Sequence, residues 1–180
     1  NDGSLINQLT DGDWVVNGSI AANEEKGEVY FIGNATDYLE RPLYSVPLNS
    51  NKEKKPKKIS KRAGWHTVSI AGGGQSYIDN FSNPETPPQV SIHNMDGSRL
   101  MWIEENQLKQ GHPYYAYKQS HIYPEFGVIE NNDGDELHYQ MYKPANMEKG
   151  KKYPVIFALY GGPGSQLVRK SWGNLLHQVW

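Results

Sequence analysis

The chain has 180 residues, with 18 basic and 20 acidic side chains and a formal net charge of -2. This balance provides no field that would gather nucleic acid or an anionic membrane surface, and no apolar run is long enough for a transmembrane helix. The lack of cysteine excludes disulfides, thiolate metal sites and a cysteine nucleophile. We therefore expect no nucleic-acid partner and no membrane-spanning segment in this chain.

Short apolar or alternating runs, separated by turn residues, recur through the first part of the sequence. Aromatic and β-branched residues broken up by Gly, Asn and Asp are typical of strands joined by tight turns. The Asp96-Gly97 pair between two such runs predicts a hairpin. The predicted strands are residues 14–20, 28–32, 43–48, 65–70, 75–78, 89–93 and 100–103.

These runs form an internal repeat. Trp14 and Trp65 hold equivalent places in it, as do Tyr30 and Tyr77. A period of about 50 residues with about four strands per unit is typical of β-propeller blades. Two blades cannot close a ring, so this interpretation expects further blades elsewhere in the protein. The alternative is a β-sandwich with coincidental spacing.

The pattern changes after residue 105. Residues 106–117 are predicted as a connector, and Asp133-Gly134 predicts a hairpin between residues 126–130 and 136–142. The apolar run 155–160 predicts a strand buried on both faces. An amphipathic helix with Ser171 as its N-cap is predicted from apolar residues at helical spacing: Trp172, Leu175, Leu176, Val179 and Trp180. A helix that stops in phase, after a strand without partners, leads us to expect a piece of a longer protein.

Tyr160 is the strongest candidate for a chemical role. It ends the apolar run and precedes the glycine-rich turn at residues 161–164. In α/β-hydrolases a loop after an early strand helps to build the oxyanion hole, and a phenol hydroxyl there can donate a hydrogen bond to the developing alkoxide. Glycines permit the backbone angles of a sharp turn and let a substrate approach closely. The alternative is a tyrosine that only closes a core strand.

No other pattern predicts a reaction centre. The sequence has no G-x-S-x-G and therefore no sign of an activated serine. Residues 52–62 carry seven basic side chains and one Glu, and a solvated connection between blades is favoured over a localisation signal or an anion patch. The histidines lack metal-ligand spacing and are predicted to be strand or loop residues: His66, His93, His112, His121, His138 and His177.

Several segments together resemble a known family of peptidases. Four segments resemble the last propeller blades of the dipeptidyl peptidase IV family, in its bacterial-type members: LTDGDWVV (9–16), VYF (29–31), ERPLY (40–44) and YIDNFS (77–82). Resemblance to the start of that family's α/β-hydrolase domain is carried by LHYQMYKP (137–144), KYPV (152–155) and YGGPGSQ (160–166). The last of these is shared across the prolyl oligopeptidase clan, whereas the propeller segments favour the dipeptidyl peptidase branch.

The resemblance implies a mixed architecture. Residues 1–110 would be the last two blades of an all-β propeller, and residues 111–180 the N-terminal part of an α/β-hydrolase domain. The implied activity is that of a serine exopeptidase, without a cofactor or metal, which releases dipeptides with Pro or Ala second from peptides with a free N-terminus. The implied location is periplasmic or secreted, with the cytoplasm as the alternative, and the parent protein would be a homodimer.

The family's oxyanion tyrosine falls on Tyr160. By the same resemblance the catalytic Ser, Asp and His would follow Trp180, and the paired glutamates that hold the substrate amine would precede Asn1. The chain alone is therefore expected to be inactive.

Three alternatives stay open. One is another peptidase of the clan, an oligopeptidase or an acylaminoacyl peptidase, which a preference for blocked N-termini would reveal. Another is a catalytically dead protein whose propeller serves as a binding module. The third is a free-standing β-rich binding domain, against which the truncated helix and the lone buried strand count.

Overall fold

A computed structural model describes residues 2–48, 55–162 and 164–178. Three short 3-10 helices occur in these ranges, at Gly72–Gly74, Tyr115–Ser120 and Leu175–Gln178. The strands of the described residues are β1 (Val16–Asn23), β2 (Glu28–Gly33), β3 (Leu43–Pro47), β4 (Lys57–Lys58), β5 (Trp65–Ile70), β6 (Ser76–Asn83), β7 (Thr86–Asn94), β8 (Arg99–Glu104), β9 (Glu125–Glu130) and β10 (Glu136–Met141).

Eight of the strands form two antiparallel sheets of the same design. The first has the order β1-β2-β3-β4 and the second β5-β6-β7-β8, so strands that follow one another in sequence are neighbours in the sheet. Tyr30 lies on the second strand of one sheet and Tyr77 on the second strand of the other. The repeat seen in the sequence is therefore a repeat of structure.

The two sheets share a hydrophobic core. On β2 the side chains alternate between the two faces, as the two-residue period of a strand requires, and Tyr30 and Ile32 lie on the face toward the second sheet. The cluster formed there contains Tyr30, Ile32, Leu43, Ile59, Val68, Tyr77 and Met95. Tyr30 and Leu43 are fully buried, and such burial is the main favourable contribution to packing one sheet on the other.

The opposite face of the first sheet is buried as well. Phe31, Tyr44 and Val46 form a second cluster, which Trp14 covers from the segment before β1. The Trp14 and Phe31 rings stack with centroids 5.6 Å apart. The outer face of a two-sheet sandwich is commonly solvated, whereas a propeller blade buries both faces. The packing thus favours the blade over the sandwich.

Both predicted Asp-Gly hairpins are confirmed. Gly97 between β7 and β8 has φ +82°, and Gly134 between β9 and β10 has φ +88°. These positive values lie in the region that glycine adopts without a steric penalty. The hairpin β9–β10 forms a separate two-stranded sheet.

The strand predicted at residues 155–160 is wrong. These residues have no regular secondary structure, and Ile156 and Phe157 are 73% and 84% exposed. A strand exists only where a neighbour takes up its backbone hydrogen bonds, and within the described ranges no strand pairs with this run. Its apolar side chains consequently stay uncovered.

The helix predicted from Trp172 onward is also wrong in type and extent. Only Leu175–Gln178 is helical, as a single 3-10 turn. Gly173 disfavours helix within the predicted stretch. The Leu176 backbone N–H donates to Asn174 Oδ1 at 3.0 Å, so Asn174 and not the predicted Ser171 caps this turn. Val179 and Trp180 lie outside the described residues.

Candidate functional site at the blade ends

Tyr160 stands at the start of a glycine turn, as predicted. Gly161 has φ +70° and Gly164 φ +84°, so both occupy backbone conformations that other residues rarely adopt. The Tyr160 side chain is 61% exposed and lies outside both core clusters. The ring therefore does not close a core strand, and Tyr160 is largely exposed to solvent.

The segment that follows this turn, residues 164–178, docks on one end of the two sheets and is called here the docking segment. Its contacts reach the β2–β3 loop of the first sheet and the last part of β6 in the second. Three hydrogen bonds make these contacts: Gln166 Nε2 to the Tyr38 carbonyl at 2.7 Å, Lys170 N to the Leu39 carbonyl at 2.8 Å, and Trp172 N to Ser82 Oγ at 3.2 Å.

Ion pairs reinforce the docking. Lys170 Nζ binds the Asp37 carboxylate and lies 3.9 Å from Glu40, whose other carboxylate oxygen is 3.3 Å from Lys58 Nζ. Burial alone would raise the pKa of Asp37, but the hydrogen bonds from Lys170 and from the Leu39 backbone, with the charge of Lys170, outweigh it and lower that pKa. The charges thus alternate in sign along this edge, which favours the docked arrangement.

An aromatic cluster holds the docking segment against the connector between the second sheet and the hairpin. The Trp172 and His121 rings stack with centroids 4.5 Å apart, and the Tyr114 hydroxyl is 2.6 Å from His121 Nδ1. Burial lowers the pKa of His121. The cluster therefore favours a neutral imidazole that packs on Trp172.

A groove of about 610 Å³ lies beside the docked lysine. One wall is the β2–β3 loop and the other is the β9–β10 hairpin, so the groove separates the first sheet from the part of the chain that follows residue 105. The residues that line it are Asp13, Trp14, Asn34, Ala35, Thr36, Asp37, Tyr38, Leu39, Phe126, Gly127, Val128, His138 and Lys170.

A second feature of the blade end brings two arginines together. The guanidinium carbons of Arg41 and Arg169 lie 5.4 Å and 5.1 Å from the centroid of the Trp65 indole. Arg41 and Trp65 also form a parallel β-bridge, which fixes their relative position. Composition gives no signal for this cluster, because it joins residues from distant parts of the sequence.

The histidines occupy strands, loops and the last 3-10 turn. His66 is almost fully buried, with Nδ1 2.8 Å from Asp79 Oδ2 and Nε2 3.0 Å from the Arg62 carbonyl oxygen. Nδ1 thus has its partner on β6 of the second sheet, and Nε2 has its partner in the connection before β5. In the part of the chain that the structure describes, no group of three or more His, Asp or Glu side chains is placed to hold a metal ion.

The basic stretch 52–62 is not simply a solvated connection. Residues 52–54 lie outside the described ranges, but Lys57 and Lys58 form β4 and pair with β3. The Arg62 guanidinium lies 3.7 Å from the Phe81 ring centroid and donates to Gln89 Oε1 at 2.7 Å. Residues 59–64 do join the first sheet to the second, and Lys55, Lys57 and Lys61 are exposed as predicted, but Lys58 and Arg62 have side-chain partners that the prediction did not include.

Among the described residues, no helix has the length and apolar character needed to cross a bilayer.

Taken together, the repeat, the meander order and the burial of both faces define the two sheets as consecutive blades of a β-propeller. The same fold is found in the crystal structure of Porphyromonas gingivalis dipeptidyl peptidase 4, which superposes with a TM-score of 0.83 at 23% identity. That match covers 99% of this chain and 25% of the bacterial one.

Sequence comparisons point the same way. Residues 1–88 match the model of the dipeptidyl peptidase IV N-terminal region. A probable dipeptidyl-aminopeptidase B of Coccidioides posadasii is 33% identical over 94% of this chain and 18% of its own length, and dipeptidyl peptidase 4 of Trichophyton equinum is 31% identical over 97% and 22%. The chain belongs to the dipeptidyl peptidase IV family. It spans about a fifth of the length of these curated relatives.

Proposed function

We propose that the full protein is a serine exopeptidase that releases N-terminal dipeptides, with Pro or Ala in the second position, from peptides with a free amino terminus. The similarity to dipeptidyl peptidases along nearly the whole chain is the observation that carries this proposal. The exposed phenol of Tyr160 on its glycine turn supports it, because a phenol hydroxyl at such a position can donate a hydrogen bond to a substrate.

In this proposal residues 1–110 are propeller blades and residues 111–180 begin the peptidase domain. The docking segment follows Tyr160 and contacts both blades, which is the arrangement that a peptidase domain set on the end of a propeller would need. The blades would then restrict which peptides reach the reaction centre.

Tyr160 would act in acyl transfer. A serine of the full protein attacks the carbonyl carbon of the second substrate residue. A histidine takes the serine proton and passes it to the leaving amine. The Tyr160 hydroxyl donates a hydrogen bond to the oxygen that gains negative charge. It thereby stabilises the tetrahedral intermediate more than the planar substrate, which is what lowers the barrier.

The test is Tyr160→Phe in the full-length protein, assayed on Gly-Pro and Ala-Ala reporter substrates. We expect kcat to fall roughly 10²–10³-fold, the usual effect of losing one oxyanion donor, with KM nearly unchanged. Tyr117→Phe is the matched control, because Tyr117 is 63% exposed against 61% for Tyr160. Equal kcat for wild type and Tyr160→Phe would refute the role of the phenol.

A second comparison tests the substrate class. The same peptide is offered with a free and with an acetylated amino terminus. Cleavage of the free form alone supports the exopeptidase, whereas preference for the acetylated form would assign the protein to a different branch of the clan.

A further inference from the structure

Two positive charges converge on one aromatic ring at the junction of the blades and the docking segment. Arg41 lies between β2 and β3 of the first blade and Arg169 lies on the docking segment, yet both guanidinium groups contact Trp65. Burial and then the charge of Arg169 lower the pKa of Arg41. The two cations therefore repel each other across a partly desolvated space.

Neither arginine has an acidic partner among residues 2–48, 55–162 and 164–178. Arg41 Nη2 donates to the carbonyl of Asn17 at 2.8 Å, while Arg41 Nε is buried and lacks a hydrogen-bond partner within those ranges. The neighbouring Glu40 is engaged by Lys58 and Lys170 instead. Buried polar groups normally have partners, so the position beside Arg41 Nε calls for an acceptor.

We propose that Arg41 and Arg169 together bind a carboxylate, and that its source is the C-terminal carboxylate of a short peptide. Guanidinium groups match the two oxygens of a carboxylate with parallel N–H donors, and one negative charge between the two arginines would remove their repulsion. Trp65 supplies the ring over which both cations sit. The choice of a peptide as the ligand rests on the proposed function, whereas the carboxylate chemistry does not.

Arg41 is the preformed half of this site. Arg41 is held by its backbone N–H, which donates to the Gly64 carbonyl at 3.1 Å, and by the bridge to Trp65. Arg169 is exposed, next to Lys170, which anchors the docking segment to the first blade. One arginine is thus fixed by the sheet, and the other is accessible to a ligand that arrives from solvent.

The test measures equilibrium binding by NMR titration of the full-length protein, which needs no turnover. The probes are N-acetyl-Gly-Pro-Ala with a free C-terminal carboxylate, the same peptide as its amide, and sodium acetate. We expect the acid to bind about tenfold more tightly than the amide, the effect of one charge-assisted contact. That preference should disappear in Arg169→Gln and Arg41→Gln. Arg99→Gln is the control, since Arg99 lies 4.1 Å from the ring centroid of Trp102 in the second blade.

The outcomes distinguish a peptide carboxylate from other carboxylates. They also distinguish failure of the carboxylate site from failure of the proposed function. Acetate binding that depends on Arg169, with equal affinity for acid and amide, would keep the carboxylate site but overturn the peptide as its ligand. If neither acetate nor the acid peptide distinguishes wild type from Arg169→Gln, the site is refuted. Because Arg169 lies outside the sheets, its variant stays informative if Arg41→Gln fails to fold. A protein that binds the acid selectively but cleaves no dipeptide would contradict the proposed function alone.

Discussion

The ion pair between Lys170 and Asp37 should hold the docking segment on the first blade. The perturbation is a double-mutant cycle of Lys170→Met and Asp37→Asn, in which the asparagine keeps an acceptor for the Leu39 backbone N–H that now lies 2.8 Å from Asp37 Oδ1. The cycle isolates the charge interaction, because the hydrogen bond from the Lys170 backbone to the Leu39 carbonyl remains in all four proteins.

The magnitude follows from exposure. The side chains of Lys170 and Asp37 are 33% and 32% exposed, so water screens them almost as it screens a surface pair. Such pairs contribute about 0.2–1 kcal/mol, and we expect a coupling free energy of about 0.5–1 kcal/mol at low ionic strength. The pKa of Asp37 is lowered by folding. Its contribution is therefore present above the ordinary value of 3.8 and is lost as the pH falls below that value through the folded pKa.

Amide hydrogen exchange is the assay, because it reports the local opening of the docking segment without unfolding the whole protein. Protection of the backbone N–H of residue 170 should decrease in both single variants. It should decrease no further in the double variant. Lys143→Met removes a comparable exposed pair with Glu125 in another region and should leave that protection unchanged. A coupling free energy of zero at pH 7 and low salt would refute the reasoning.

Two further predictions concern stability. Gly97→Ala should lower the melting temperature more than Gly134→Ala: both incur about 1–2 kcal/mol for a left-handed backbone, but only at Gly97 would the new methyl collide with the Ile59 carbonyl oxygen. Equal losses in thermal unfolding would contradict this. Burial and Glu28 raise the pKa of Tyr30 from 10.0 to about 12, so its contribution to stability is complete below pH 10 and is lost as the pH rises through 12. In denaturant titrations, Tyr30→Phe should reduce the loss of unfolding free energy at alkaline pH. An unchanged loss would exclude Tyr30 as its cause.

The blades could be predicted from sequence because their determinants are local. Alternating side chains such as those of β2 fix which residues face the shared core, and the Gly97 turn fixes the register of the strands on either side. The repeat adds a second, independent signal, since Tyr30 and Tyr77 recur in the same cluster. The alternation and the turn depend on residues that are close together in the chain.

The run at residues 155–160 shows where local signals fail. Its apolar composition is that of a buried strand, but apolar composition indicates only that burial of the side chains would be favourable. Whether a strand forms depends on neighbours that supply hydrogen bonds and packing, and the described residues supply none to this run. The convergence of Arg41 and Arg169 on Trp65 was equally hidden, because the docking of one distant segment creates it.

The docking segment connects the two proposals physically. Tyr160 and Arg169 lie on the same stretch of backbone, and Lys170 anchors that stretch to Asp37 on the first blade. The ion pair and the contact with Trp65 restrict the middle of the docking segment, and Tyr160 lies before that segment, at the start of the glycine turn. Any change that loosens the Lys170 anchor should therefore disturb the arginine pair first and the Tyr160 turn only through the intervening backbone. Carboxylate binding would then weaken before the stabilisation of the oxyanion is lost.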